Sequence, residues 1–134
     1  MRKFAFGPLV CALWATSALA DQDLVDQDWV VPAHDIKATS FSLSGAAVVH
    51  VDVTPMKNTD KGVTLRLVPS EDADACAGRA QGRCRSRPGF DAFKVGSFSH
   101  AEQVPAGTWT VYVANTENIF KSATVHVHIF LTNN

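Results

Sequence analysis

The stretch Ala123-Thr-Val-His-Val-His-Ile-Phe-Leu-Thr132 decides the fold. Aliphatic residues take every second position of this stretch, and threonine, histidine and phenylalanine take most of the positions between them. A period of two places the aliphatic side chains on one side of an extended chain and the others on the opposite side. The stretch therefore predicts a β-strand with one face in a core and the other face in solvent.

The same alternation recurs toward the N-terminus, and turn-forming residues separate the alternating stretches. No stretch after residue 21 keeps an apolar period of 3.6 residues for three turns, as an amphipathic helix would. The sequence therefore predicts an all-β protein, an antiparallel β-sandwich or jelly roll of one domain. The further predicted strands cover Phe41–Leu43, Val48–Val53, Val63–Val68, Phe90–Val95, Ser97–Gln103 and Trp109–Ala114.

Length and charge narrow the classes of function. The chain has 134 residues, enough for one ordinary domain. Lysine and arginine number 12 and aspartate and glutamate 13. Arg2 and Lys3 lie in the predicted signal peptide described next, so the remaining chain carries a formal charge of −3. That balance argues against nucleic acid as a partner.

The N-terminus has the features of an export signal. Arg2 and Lys3 precede an apolar stretch over 4–14, and Ala18-Leu-Ala20 is a small-residue cleavage site. Cys11 lies inside the apolar stretch and not at a cleavage site, so no lipid anchor is expected. No later stretch has the apolar length of a membrane span. We therefore expect a periplasmic or extracellular protein.

These features divide the chain into three parts. Residues 1–20 are the predicted signal peptide, residues 21–37 an acidic lead-in, and residues 38–134 the β-sandwich domain.

Cys76 and Cys84 remain as a pair after signal cleavage, and an oxidising compartment predicts a disulfide between them. Their spacing differs from the C-x-x-C of redox and zinc motifs. The bond would close a charged loop, whose basic residues either pair with nearby acidic residues or recognise a protein or an anionic glycan. Those basic residues are Arg79, Arg83, Arg85 and Arg87.

Four motifs together resemble the bacterial pre-peptidase C-terminal domain, a jelly-roll-like β-sandwich attached to many secreted hydrolases. They are Phe41-Ser-Leu-Ser-Gly45, Gly62-Val-Thr-Leu-Arg-Leu67, Val104-Pro-Ala-Gly-Thr-Trp-Thr-Val-Tyr-Val113 and Ser122-Ala-Thr-Val-His-Val127. The resemblance implies a non-catalytic accessory or binding role, and in some members calcium near the N-terminal side. The segment Asn58-Thr-Asp-Lys-Gly62 carries one carboxylate where the family has an aspartate-rich stretch, so no calcium ligand is carried over.

Histidines on predicted strands are the main candidates for chemistry. His126 and His128 are two residues apart and project from one face of a strand, and His50 and Asp52 repeat this arrangement. If the two strands are neighbours, three imidazoles and a carboxylate converge, a ligand set suited to zinc or copper. The alternative is that these side chains form an ordinary solvated face.

Calcium is a further candidate, because acidic residues occur in two groups. Neither group has the spacing of an EF-hand loop. The first group is Asp21, Asp23, Asp26 and Asp28, and the second is Glu71, Asp72 and Asp74.

Catalysis has little support in the sequence. Ser99 and His100 would need a carboxylate and a cleft to act in hydrolysis, and no nucleophile-elbow motif is present. Trp29, Trp109 and Tyr112 are candidates for a sugar-stacking platform, although the alternation assigns Trp109 to the core. We therefore expect an exported binding or accessory module for a protein or glycan partner, with a zinc- or copper-binding protein as the alternative and no catalytic residue assigned.

Overall fold

The computed structural model describes residues 22–73 and 86–132. Short 3₁₀ helices occupy Ser70–Asp72 and Pro88–Phe90. No helix within the described residues has the length and apolar character needed to cross a bilayer. The strands are β1 (Gln22–Val31), β2 (Asp35–Leu43), β3 (Ala47–Lys57), β4 (Val63–Pro69), β5 (Asp91–Val95), β6 (Phe98–Val104), β7 (Gly107–Asn115) and β8 (Ala123–Thr132).

The strands form two four-stranded sheets. The first sheet has the order β1-β8-β3-β6, and the second has the order β2-β7-β4-β5. All neighbouring strands are antiparallel. The predicted all-β antiparallel sandwich is confirmed.

The core lies between the two sheets and follows the predicted alternation. Val125, Val127 and Ile129 of β8 are fully buried, as are Val111 and Val113 of β7 in the opposite sheet. Burying such a side chain contributes about 1.5–3 kcal/mol. The residues between them on β8 point away from the core, which leaves His126 and His128 on the outer face of the first sheet.

The predicted lead-in over residues 21–37 is different in the structure, because β1 and the start of β2 lie there. Val25, Trp29 and Val31 of β1 are buried in the core. The pairing of β1 with β8 shifts register between Asp23 and Val25, and the exposed Gln27 lies opposite the buried Val127. A register shift and a polar residue on the inward side interrupt the period of two, which hides this strand in the sequence.

The predicted turn over residues 54–62 is shorter than expected. Strand β3 continues to Lys57, and its pairing with β8 shifts register between Pro55 and Lys57. Proline has no backbone N–H to donate to a neighbouring strand. Its position beside a shift in register is therefore expected.

Two buried asparagines fix the loop between β7 and β8. The Asn115 side-chain amide donates hydrogen bonds to the carbonyl oxygens of Val31 and Lys121, both at 3.0 Å. Asn118 Nδ2 donates to Asn115 Oδ1 at 3.0 Å and to the Asn58 carbonyl at 3.2 Å. These bonds join the loop to β1 and to the turn after β3, and the bond to Lys121 closes the loop on itself.

Candidate functional site

The two strands that carry the histidines are neighbours in the first sheet. In their pairing, Asp52 lies opposite His128 and His50 opposite Phe130. Residues that lie opposite each other in an antiparallel pair share one face. The four residues proposed as metal ligands therefore do lie on the same outer face.

The four predicted ligands nevertheless do not converge on one point. The His50 ring stacks on the Phe130 ring at 4.3 Å, and its Nε2 lies 2.9 Å from Thr132 Oγ1. Asp52 Oδ1 accepts a hydrogen bond of 2.6 Å from Ser99 Oγ on β6. Phe130 stands between the histidines of the two strands, since it also stacks on His128 at 4.5 Å.

The partners of His126 and His128 come instead from β1. Asp28 lies opposite His126, and Asp26 lies opposite His128. His126 Nδ1 is 2.7 Å from Asp28 Oδ1, and His126 Nε2 is 2.7 Å from Asp26 Oδ1. His128 Nε2 is 2.8 Å from Asp23 Oδ1. The outer edge of the first sheet is thus a ladder of alternating carboxylates and imidazoles.

This arrangement favours the charged form of His126. The hydrogen bonds from its ring to Asp28 and to Asp26 raise the pKa of the His126 imidazole above its ordinary value. Both ring nitrogens must carry a proton to donate to two carboxylates at once. In its charged form, His126 can therefore link two aspartates of β1.

A group with metal-ligand geometry lies within the ladder. One carboxylate oxygen each from Asp23 and Asp26 and one imidazole nitrogen from His128 all lie within 4.8 Å of one another. The side chains of both aspartates are more than half exposed, so an ion and its water ligands can reach them. Neither His50 nor Asp52 belongs to this group.

Asp23, Asp26 and Asp28 were predicted to lie in an acidic lead-in, as candidates for calcium and apart from the histidines. In the structure they lie on β1 beside those histidines. The available signal was the matching spacing: Asp26 and Asp28 are two residues apart, as are His126 and His128. If residues 22–31 are taken as a strand, the equal spacing allows the aspartate pair and the histidine pair to lie opposite each other on neighbouring strands.

Most of the predicted recognition loop lies outside the described residues. Cys76, Cys84, Arg79, Arg83 and Arg85 fall outside the described residues, so the disulfide stays a prediction.

Arg87 is described, and its side chain makes contacts within the protein. Its Nε and one Nη donate to Glu102 Oε2 at 3.0 and 2.8 Å, and its guanidinium carbon lies 5.7 Å from the centre of the Trp109 ring. A hydrogen bond with His100, and secondarily that with Arg87, lowers the pKa of the Glu102 carboxyl against the opposing effect of burial. Arg87, which directly precedes the 3₁₀ helix Pro88–Phe90, therefore links this segment to β6 and β7.

Ser99 and His100 do not form a nucleophile and base. Ser99 donates to Asp52 on the outer face, whereas His100 Nε2 lies 2.8 Å from Glu102 Oε1. Consecutive residues of a strand point to opposite faces, so the two side chains cannot meet.

The three aromatic residues considered for a sugar platform are buried. Trp29 is 1% exposed, Tyr112 3% and Trp109 8%. None of them offers a ring face to a ligand.

No family model matches this sequence, and no curated protein matches it. Among solved structures, the chain is similar to the pre-peptidase C-terminal domain of a collagenase from Bacillus anthracis. The TM-score is 0.55 and the sequence identity 11%, over 78% of this chain and 87% of that chain. A carbohydrate-binding module of lichenase 5A from Cellvibrio mixtus, solved with cellotriose, has a TM-score of 0.38 and 11% identity over 87% and 98% of the two chains. The predicted resemblance to the pre-peptidase C-terminal domain is thereby confirmed at the level of the fold.

Proposed function

We propose that this chain is an exported, non-catalytic binding module whose β1–β8 face binds a divalent zinc or copper ion. The observation that carries the proposal is the group Asp23, Asp26 and His128, whose ligand atoms lie within 4.8 Å of one another. A four-coordinate ion held by these three residues would have one position for water or for an atom of a partner. Export rests on the signal features of residues 1–20 and stays a prediction.

The donor types favour zinc or copper over calcium. Imidazole nitrogen with carboxylate oxygen suits zinc and copper, whereas calcium takes about six to eight oxygen ligands. Zinc–nitrogen and zinc–oxygen distances are about 2.0–2.2 Å, so the three ligand atoms must draw together on binding. Exposed aspartate side chains can make that movement through rotation about their own bonds.

His126 would support the ion without contacting it. Its Nε2 is bonded to Asp26 Oδ1, and a hydrogen bond to a ligating carboxylate orients that carboxylate. The other ring nitrogen is bonded to Asp28, which fixes the plane of the imidazole. The ladder thus supplies ligands and the groups that hold one of them in place.

The test is calorimetric titration of the purified protein with zinc, copper and calcium separately. We expect one equivalent of zinc or copper to bind, and His128→Ala and Asp26→Asn to lose that binding. His50→Ala is the matched control, because His50 lies on the same face yet stacks on Phe130 and contacts Thr132. Equal losses in His50→Ala and His128→Ala would instead support the ligand set proposed from the sequence. If none of the three ions gives a heat of binding, the proposed metal-binding function is wrong.

Recognition of a protein or glycan by the arginine-rich loop stays a separate hypothesis. Of its four arginines, the described Arg87 is paired with Glu102 and lies over Trp109. Replacing Arg79, Arg83 and Arg85 together by glutamine, with a pull-down on candidate glycans, tests the loop without disturbing that pairing.

A further inference from the structure

The loop between β7 and β8 presents two apolar side chains to solvent. Ile119 is 62% exposed and Phe120 93% exposed. Phe120 therefore protrudes with almost no contact to the rest of the protein. The backbone beneath it is fixed by the buried side chains of Asn115 and Asn118, so the exposure is a property of an anchored loop.

Two lysines lie near this pair. Lys61 and Lys121 line the same shallow depression as Ile119 and Phe120. Of the two carboxylates in that depression, Glu117 forms an ion pair of 3.3 Å with Lys94, which leaves Asp60 against the two lysines. The tip of the loop, defined as Ile119 and Phe120, is therefore apolar within a surface of mildly positive charge.

We propose that this end of the sandwich docks on an anionic lipid bilayer, with Ile119 and Phe120 in the interface and Lys61 and Lys121 at the headgroups. Protruding apolar side chains beside lysines match a bilayer surface, which offers apolar depth under negative charge. Lysine stems can lie along the apolar region while their ammonium groups stay at the phosphates. The proposal uses none of the metal-site residues and stands or fails apart from that site.

The experiment measures co-sedimentation of the protein with vesicles of phosphatidylcholine, alone and mixed with phosphatidylglycerol, in the presence of a chelator. We expect binding to the mixed vesicles and much less to the neutral ones. Replacing both tip residues, Ile119→Ser with Phe120→Ser, should weaken the partition about tenfold or more, since apolar burial is lost. Lys61→Gln with Lys121→Gln should weaken it by roughly fivefold per lysine.

The matched control is Val30→Thr, because Val30 is 55% exposed on the outer face of β1 and lies outside the tip. Its binding should equal that of the unchanged protein. A second variant, Phe120→Trp, reports insertion directly: we expect its fluorescence to shift to the blue with mixed vesicles. Raising salt to about 1 M, where the Debye length is about 3 Å, should reduce the binding.

Three results would overturn the proposal. One is absence of sedimentation with mixed vesicles, together with no blue shift of Phe120→Trp. Another is undiminished binding by the double serine variant. The last is Phe120-dependent retardation of the protein in polysaccharide-containing gels without vesicle binding, which would assign the tip to a glycan.

Discussion

Replacement of Asn115 by alanine should cost about 3 kcal/mol of unfolding free energy. Its side chain makes three hydrogen bonds of 3.0 Å: to the carbonyls of Val31 and Lys121 and from the Asn118 amide. Each bond is worth about 1 kcal/mol net, and the buried partners left unpaired add to the loss. Asn115 is fully buried, so the groups left unpaired by the substitution lie away from bulk solvent.

The assay is equilibrium unfolding in urea, followed by the fluorescence of the buried Trp29 and Trp109. For a domain of this size, a loss of 3 kcal/mol lowers Tm by roughly 10 °C or more. Ser42→Ala is the control, since it removes one exposed hydrogen bond to Thr108 and should change stability by less than about 0.5 kcal/mol. A loss below about 1 kcal/mol in Asn115→Ala would refute the reasoning that this side chain anchors the loop.

Three further predictions concern pH and backbone geometry. The pKa of His126 is raised, so in the metal-free protein the contribution of His126 to stability is full below its ordinary pKa of 6.5 and is lost as pH rises through the raised pKa. NMR titration of the His126 ring should therefore give a midpoint above 6.5. The variant His126→Gln should flatten the dependence of stability on pH in that range. The pKa of Glu102 is lowered, so its contribution is present above its ordinary value of 4.5 and is lost as pH falls through the lowered value; Glu102→Gln should remove that acid dependence in urea unfolding. Gly62→Ala should destabilise by roughly 1–3 kcal/mol, because φ is +78° and a Cβ would lie 2.6 Å from the Lys94 carbonyl carbon, whereas Gly45→Ala, with nothing within 4 Å, should have little effect in the same melt.

The strands with an unbroken period of two were predictable from the sequence. Val125, Val127 and Ile129 alternate with polar neighbours and are buried as the alternation requires. Strand β1 was not predictable in this way, because the position opposite the buried Val127 is an exposed, polar Gln27 and the register shifts near Asp23. The alternation of apolar and polar residues predicts the direction of a side chain only where the strand is regular.

The candidate site was half predictable for a related reason. The spacing of His126 and His128 predicts that they lie on one face of a strand, and in the structure both lie on the outer face of the first sheet. Pairing between distant strands decides which groups they meet. An alternation does not say which distant strands pair, and it excludes only register shifts by an odd number of residues. The stacking of Phe130 between His50 and His128 likewise depends on register, so the sequence could not separate His50 from the ligands.

The place of β8 in the first sheet has a consequence for the order of folding. Strand β8 lies between β1 and β3, and the bond from Asp28 to His126 spans 98 residues. Within the described residues β1 pairs only with β8, so it lacks this partner until β8 has been synthesised. The entropy of closing so long a loop is lost before the contacts between β1 and β8 form. Assembly of this edge should therefore be late and slow compared with hairpin formation. During synthesis from the N-terminus, β1 would thus stay without this partner until β8 has formed. The carboxylates of Asp23, Asp26 and Asp28 would meanwhile disfavour pairing of β1 with a second copy of the chain.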